Sequence, residues 1–498
     1  MTTINTNVSS LIGQRILNQN NKGLSQSLER LSTGLKINRG ADGPAGLIAS
    51  EKLRSDKASI SAAIGNAERA DQVINVAEGG LNEVQSMLTE LQGLVSESAN
   101  DTGLSTEEKE ANQFQVDQIL QTIDRISSTT SFGDTKLLNG SQDFQVTGVA
   151  GSVTDYQINA AKFETGSTVA VQAVVNTSAQ HAGLFVSTGD LSLTNATDVF
   201  SIELGGAKGT REFSFATSAT AASMATSINQ FKSVTGVSAA VVSGGLMIKS
   251  TEYGSDQFVS FDITNLAGQA GTVYTLSAED ENNVKVATTA FAAVTAPVRD
   301  EGQDVGGVIN GQIARGKGLS LSVSSDGLDM EMSLTAAAAT DASAGPISAM
   351  SVSGGGATFN IGPEINVSNQ IRIGMQSVAS RNIGNSTDGY LDSLKSGGTN
   401  SLLSDNLDDA QKIVNNAIDQ ISKMRGRLGS VQSNVIGSTI NSLNIAYENT
   451  SAAESAIRDT DFAEETASLT RNQILVSAAT NVVAMSNARP QSVLGLLG

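Results

Sequence analysis

Leu53, Ile60, Ala67, Ile74, Leu81, Leu88 and Val95 stand seven residues apart, and Ala63, Ala70, Ala77, Val84 and Leu91 follow five of them at three. An apolar repeat of this kind, held over so many heptads, specifies a left-handed coiled coil. At 1.5 Å rise per residue, 53–98 predicts a helix of roughly 70 Å, which is a rod and not a globule. The alanines allow a partner helix to approach closely. Asp42-Gly43-Pro44 supplies a start with proline in the first turn, and Asn100-Asp101-Thr102-Gly103 a stop. A partner of the same period lies near the other end of the chain. Leu407, Val414, Ile421, Leu428 and Val435 repeat at seven, with Ala410, Ala417, Met424 and Val431 three residues after the first four.

The helical signal extends outward from both rods. Ser105 and Glu108 form a capping-box pattern before a helix whose Val116, Ile119, Ile123 and Ile126 share one face. That chain then turns at Ser131-Phe132-Gly133-Asp134. Leu17, Leu24, Leu28, Leu31 and Leu35 make a stripe on 8–36. A last helix starts near Asp461, with Glu464 three residues on, and carries Phe462, Leu469, Val476 and Val483 at sevenfold spacing toward Pro490. Between the helical blocks, about 141–400 is rich in Gly, Ser, Thr and Val and reads as strands. Phe200, Ile202 and Leu204 alternate with polar residues, as do Leu319, Leu321 and Val323. Asp326-Gly327 followed by Leu328, Met330, Met332 and Leu334 predicts a hairpin. A short helix is expected over 219–231, with Met224, Ile228 and Phe231 on one side. The fold class is therefore α+β and multidomain: paired N- and C-terminal helices form a coiled-coil rod, and a β-rich insert sits in the middle.

Composition narrows the function. The 498 residues include 31 basic and 50 acidic side chains, a net charge of -19, which disfavours nucleic acid and anionic lipid as partners. No stretch is apolar enough for a membrane span. The N-terminus lacks a basic region followed by an apolar core, so a general secretory signal is not expected. With no Cys and no Trp, there is no disulfide framework, thiol nucleophile or Cys-ligated metal. Only 5 prolines leave long helices uninterrupted. The single histidine, His181, cannot form a His-Glu-x-x-His zinc site and reads as a solvated loop residue. Gly354-Gly355-Gly356 lacks a following Lys-Ser/Thr and reads as a turn, not a phosphate loop. Glu279-Asp280-Glu281 lacks calcium-loop spacing and reads as an exposed acidic turn. No enzyme activity and no cofactor are expected.

The run Leu24-Ser25-Gln26-Ser27-Leu28-Glu29-Arg30-Leu31-Ser32-Thr33-Gly34-Leu35-Lys36-Ile37-Asn38, with Ala41-Asp42-Gly43-Pro44-Ala45-Gly46-Leu47, resembles the N-terminal signature of bacterial flagellins. Ile457-Arg458-Asp459-Thr460-Asp461-Phe462-Ala463-Glu464-Glu465 and Pro490-Gln491-Ser492-Val493-Leu494 resemble the C-terminal one. Residues 186–262 are similar to a β-rich insert shared by some flagellins and hook-associated proteins, and Val308-Ile309-Asn310-Gly311 through Leu328 looks like part of the same hairpin repertoire. The resemblance implies a secreted structural subunit of the flagellar filament, exported by the flagellar type III apparatus for swimming motility. It implies an N-terminal core helix (1–42), N-terminal rod helices (43–140), an outward-facing variable insert of one or two subdomains (141–356), a C-terminal rod segment (357–456) and a C-terminal core helix (457–498). Expected partners are further copies in a helical homopolymer, an export chaperone on the C-terminal region, and the filament cap and hook-associated proteins.

Within that scheme the terminal helices fold on assembly and are largely disordered in a lone subunit. Their core residues are then Leu11, Leu17, Leu24, Leu28, Leu31, Leu35, Phe462, Leu469, Val476 and Val483. Rod packing falls to Leu53, Ile60, Ile74, Leu81, Leu88, Val414, Ile421 and Leu428. In many flagellins the segment matching Thr89–Ser96 carries two arginines and a glutamate gripped by a Toll-like receptor. Here those positions are Glu90, Gln92 and Gly93, with Leu94 matching, and a later family glutamate aligns with Gln115. A reversed charge at such an anchor costs binding, so weak receptor activation is expected. Leu494, Leu496 and Leu497 resemble a patch sensed by cytosolic innate receptors. Competing readings are a hook–filament junction protein and a filament subunit whose insert also serves adhesion or glycan display.

Overall fold

The structure, a computed structural model, describes residues 6–100, 103–164, 166–187, 198–242, 245–277, 280–325, 327–343, 345–404 and 406–494. In chain order the helices are α1 (Val8–Thr33), α2 (Pro44–Ser98), α3 (Thr106–Thr129), α4 (Ala221–Asn229), α5 (Lys232–Thr235), α6 (Ala336–Thr340), α7 (Leu407–Ser430), α8 (Ser438–Arg458) and α9 (Phe462–Leu494). Contacts divide the chain into two compact units. The first comprises Met1–Asp71, Asn360–Ile365 and Ser430–Gly498, and the second Gln72–Phe359 and Asn366–Gly429.

In the first unit α1 pairs with α9, and the beginning of α2 pairs with α8. Asn7 caps α1 by accepting from Ser10 N (3.1 Å). The helix ends at Gly34, whose φ of 74° is a left-handed cap, a conformation glycine adopts without strain. Leu35, expected in the helical stripe, therefore lies beyond the helix. It forms a β-bridge with Asp459, flanked by Lys36 N donating to Arg458 O (2.7 Å) and Thr460 N to Gly34 O (2.9 Å). Asp461 then caps α9 by accepting from Ala463 N (2.8 Å) and Glu464 N (3.2 Å). Between α2 and α8, Ile60, Ala63 and Leu443 form a small core. Lys57 donates to Glu454 (2.8 Å) and Arg458 to Glu51 (3.0 Å) beside it.

The stripe that begins on α7 changes phase before α8. Residues Val431–Gly437 form a π-helical stretch, which takes up one extra residue. Val435, the next position of the α7 heptad, is consequently 40% exposed, whereas Ile436 is 1% exposed and Leu443, seven residues later, 8%. Sevenfold spacing continues after the π stretch, displaced by one residue.

In the second unit, later α2 lies antiparallel to α7, with Gln92 bonded to Asn415 (2.8 Å) and Ser422 to Gln85 (3.2 Å). α3 opens with the capping box expected of Ser105 and Glu108, both bonds being present (3.3 and 2.7 Å). Its Val116, Ile119 and Ile123 are buried, together with Leu120; Ile126 is half-buried. A polar strap invisible to apolar periodicity also holds α3. The buried Gln113 amide donates to Leu394 O (2.9 Å) and accepts from Leu402 N (2.7 Å), while Asp124 accepts from Ser380 N (2.7 Å).

The β region of this unit contains two large hydrophobic cores, besides a small cluster of Phe185, Met247 and Leu276. One belongs to a ten-stranded sheet that includes the hairpin Ser320–Ser324/Leu328–Leu334. Leu328, Met330, Met332 and Leu334 are all buried, as their alternation requires; Asp326 of the expected turn lies outside the described residues, and Leu319 precedes the strand. Asn310 and Gly311 both have positive φ, the backbone of a two-residue hairpin turn. Of the expected turn Gly354-Gly355-Gly356, the first two end a strand paired with Gln145 and Phe144, and Gly356, at positive φ, bends the chain into the next strand. The other core belongs to a five-stranded and a four-stranded sheet with α4. Phe200, Ile202 and Leu204 are fully buried there, while on the other face Glu203 is exposed and Ser201, 7% exposed, is hydrogen-bonded to Ser214 on the neighbouring strand (2.8 Å). The helix expected over 219–231 is α4, with Met224 and Ile228 buried and Phe231, just past its end, packed against the same core. Of the expected acidic turn, Glu279 is outside the described residues, while Asp280 opens a strand paired with Ser277. His181 is not a free loop side chain: it is half-buried, stacked 3.7 Å from Tyr253, with Nδ1 3.1 Å from Glu252 O.

Two arginines of this unit are drawn into the protein: Arg372 is 9% exposed and Arg427 is half-buried. Arg427, in the last turn of α7, donates to Asn159 Oδ1, and Asn159 donates onward to Asp329 (2.7 Å). Burial lowers the Arg427 pKa, with Asp329 and Asp143 opposing. It raises that of Asp143 against a hydrogen bond from Phe144 N and the Arg427 charge.

Candidate assembly site

Two faces of α1 and α9 differ in chemistry. The face each turns to the other follows heptad spacing: Ser10, Gly13, Leu17, Asn20, Leu24, Ser27 and Leu31 on α1 are buried or half-buried, as are Glu465, Leu469, Asn472, Val476, Ala479, Val483 and Ser486 on α9. Along each helix Leu or Val positions thus alternate with small or polar ones, and across the seam the two kinds meet, Gly13 against Val483 and Asn20 against the backbone of Leu475. The polar positions are bonded across the seam. Ser10 Oγ donates to Asn487 (2.6 Å), Asn7 to Ser486 O (2.8 Å), Asn20 to Leu475 O (3.3 Å) and Asn472 to Ser27 (3.3 Å). Arg30 pairs with Glu465 at 3.5 Å, their side chains 24% and 10% exposed. Glu465 sits in the first turn of α9, where the helix dipole favours a carboxylate.

Outside the seam each helix exposes large apolar side chains among polar ones. Val8, Leu11, Ile12, Ile16 and Leu28 on α1, and Phe462, Ile474, Leu475, Val482 and Met485 on α9, are all more than a third exposed. The residues expected in the assembly core divide between the seam and the outer surface. Leu17, Leu24, Leu31, Leu469, Val476 and Val483 do lie in the seam. Leu11 (57% exposed), Leu28 (51%) and Phe462 (57%) point away from it, because each stands outside the heptad positions that meet the partner helix. The polar positions had no apolar period to betray them; the Ser/Asn/Gly residues between the leucines were the available signal.

Of the rod positions, Ile60 is 7% exposed, and Ile74, Leu81, Leu88, Val414 and Ile421 are fully buried, with Leu428 at 1%. Leu53 is only half-buried. The receptor-equivalent positions do not form one surface patch. Glu90 and Gln115 are exposed, Gln92 is half-buried and tied to Asn415, and Leu94 is 8% exposed, inside the rod packing. Leu494, Leu496 and Leu497 lie outside the residues whose side chains are described. Among the described residues, no group of three or more His, Cys, Asp or Glu side chains could hold a metal ion, and no helix is long and apolar enough to cross a membrane.

Comparison with known proteins places this architecture. Family models described as the bacterial flagellin N-terminal and C-terminal helical regions match residues 4–143 and 411–497. A flagellin hook IN motif matches 199–252, the stretch carrying α4 and α5 with their flanking strands. The chain is 30% identical over 509 residues to the B-type flagellin of Pseudomonas aeruginosa, covering 99% of each. It is 27% identical over 531 residues to Flagellin B of Helicobacter pylori, again covering 99% of each. Among solved structures, the D2-D3 domains of the Escherichia coli flagellar cap protein match 42% of this chain and 97% of their own at 16% identity and a TM-score of 0.26, too low to carry an argument. The match to a relative at this identity over both full lengths, with both helical regions present, shows that the chain belongs to the bacterial flagellin family.

Proposed function

We propose that this structural subunit of the bacterial flagellar filament polymerises through the exposed apolar side chains of α1 and α9. The observation that supports this reading is the row of large exposed side chains on helices whose own seam is half polar. Apolar area of this kind yields roughly 25 cal/mol per Å² when covered, and in a homopolymer further copies are the cover available. Leu11, Leu28 and Phe462 then meet neighbouring subunits, while Leu17, Leu24, Leu31, Leu469, Val476 and Val483 hold the pair together. Full ordering of the two helices accompanies assembly, since each has little beyond its partner to pack against in a lone chain. No catalytic step or cofactor enters this reading. An export chaperone, the filament cap and hook-associated proteins are the further partners it requires. The segments 1–42, 43–140, 141–356, 357–456 and 457–498 serve as core helix, rod, variable insert, rod and core helix. Removing 461–498 abolishes polymerisation and leaves the rod helical; filaments of normal yield from that truncation, seen by electron microscopy, would defeat the proposal.

A second reading concerns recognition by the host. Glu90 is exposed where the family carries a cationic anchor, and Gln92 is occupied by Asn415. Activation of a Toll-like receptor by this chain is accordingly weak. A reporter-cell response equal to that of an enteric flagellin contradicts it.

A further inference from the structure

We propose that Arg30, Glu465 and Gly13 set the register of the α1–α9 pair, so that they are positioning residues for polymerisation although they lie on the closed face. The inference rests on the reading that these two helices carry assembly. Leucine and valine recur every seven residues on both helices, each set against a small or polar position of the other, so sliding one helix by a heptad would restore the same kind of packing. Apolar spacing alone therefore does not choose among registers. The polar positions do. Only one alignment brings the Arg30 guanidinium to the Glu465 carboxylate, 3.5 Å apart and largely shielded. In any other, each buried charge loses its partner, and a stranded buried charge is strongly unfavourable. Arg30 Nε is already buried without a hydrogen-bond partner among the described residues, which leaves the Glu465 contact as the ion pair the seam offers it.

Gly13 supplies a steric key about five helical turns away. A Cβ at this position would stand 2.8 Å from Val483 Cγ2, closer than carbon atoms approach without displacement. In this register Val483 occupies the space that a side chain at Gly13 would need. The charge key at one end and the steric key at the other agree on a single antiparallel alignment. That alignment decides which side chains line each outer face, and so which surface neighbouring copies meet.

The same geometry provides the test. A Cβ built at Gly13 lies 3.8 Å from Val483 Cβ, within the range of a disulfide, and the chain has no cysteine of its own to compete. In full-length subunits, Gly13→Cys with Val483→Cys forms an intrachain disulfide on mild oxidation, visible as a mobility shift on a non-reducing gel. Adding Arg30→Glu lowers its yield by roughly tenfold or more, the effect of a stranded charge, and adding Glu465→Arg as well restores it. Filament yield of the cysteine-free variants follows the same order. Independently, Gly13→Val blocks filaments and Val483→Ala rescues them. An undiminished disulfide in the Arg30→Glu background, or no recovery in the swapped pair, overturns the proposal. Filaments from a chain lacking 461–498 would instead defeat the assembly reading and leave the cross-link result standing.

Discussion

Between α2 and α7 the positions of both heptad series are apolar and closed to solvent. Ile74, Ala77, Leu81, Val84 and Leu88 are all fully buried, facing Ala410, Val414, Ala417 and Ile421 in the same state. Between α1 and α9 every second seam position of each helix is polar or small, and further large apolar side chains, Leu11, Leu28 and Phe462 among them, turn outward. The same period thus serves two ends. A seam with both series apolar holds one chain together, and its stability is that of an ordinary core. A seam with one series polar is weaker in itself but fixed in register, and it leaves apolar area free for other copies. Periodicity identifies a helix with a partner; the residues in the second series say whether that partner is enough.

The widest separation between the two seams should appear on truncating a leucine. Leu88→Ala lowers subunit stability by about 2–5 kcal/mol, read by urea or thermal unfolding. Leu11→Ala changes it by under about 0.5 kcal/mol yet raises the protein concentration needed to form filaments. Equal losses of subunit stability would erase the distinction between the seams.

The phase shift beyond α7 sharpens the comparison at single-residue resolution. Ile436→Ala costs about 2 kcal/mol or more, and Val435→Ala, one position earlier, under about 0.5 kcal/mol. The reverse order in unfolding experiments would mean that the uninterrupted heptad is the true register.

A smaller effect belongs to the start of α3. Ser105→Ala removes the cap and lowers stability by about 1 kcal/mol, whereas Ser105→Asp keeps most of it. Loss of the same size in both variants would show that the helix start depends on something other than that hydrogen bond.

The least change comes from Asp143. Burial raises its pKa in the folded chain, so between the ordinary carboxylate value and the raised one the folded state holds a proton the unfolded state has released. Stability contributed by this group falls as pH rises through that window and is fully present below it. Asp143→Asn flattens that part of the pH profile. An unaltered slope in urea titrations across the acidic range would exclude Asp143 as its source.

Much of this molecule was legible from spacing. The bounds of α2, the capping box of α3, the heptads of α7 and the Leu328–Leu334 strand follow from local rules, because each depends on residues close in sequence. Other features depended on distant pairs. The Gln113 strap joins α3 to backbone more than 280 residues later, and no local pattern announces it. The half-buried Arg427 reads as a rod-surface cation until the strand carrying Asn159 is placed against it. Val435 obeyed the period and still lost its place, since the π stretch inserted one residue that composition does not mark.

By itself the sequence determined the rods, their two stripes, the β character of the middle and, through the terminal motifs, the family. These rest on periodicity and short-range chemistry, which a chain carries wherever it goes. Only the tertiary structure decided which leucines of the terminal helices meet their own partner and which are left for a neighbour. That choice depends on the rotation of two helices about a seam, and their rotation is set by glycine, serine, asparagine and one ion pair brought together from opposite ends of the chain.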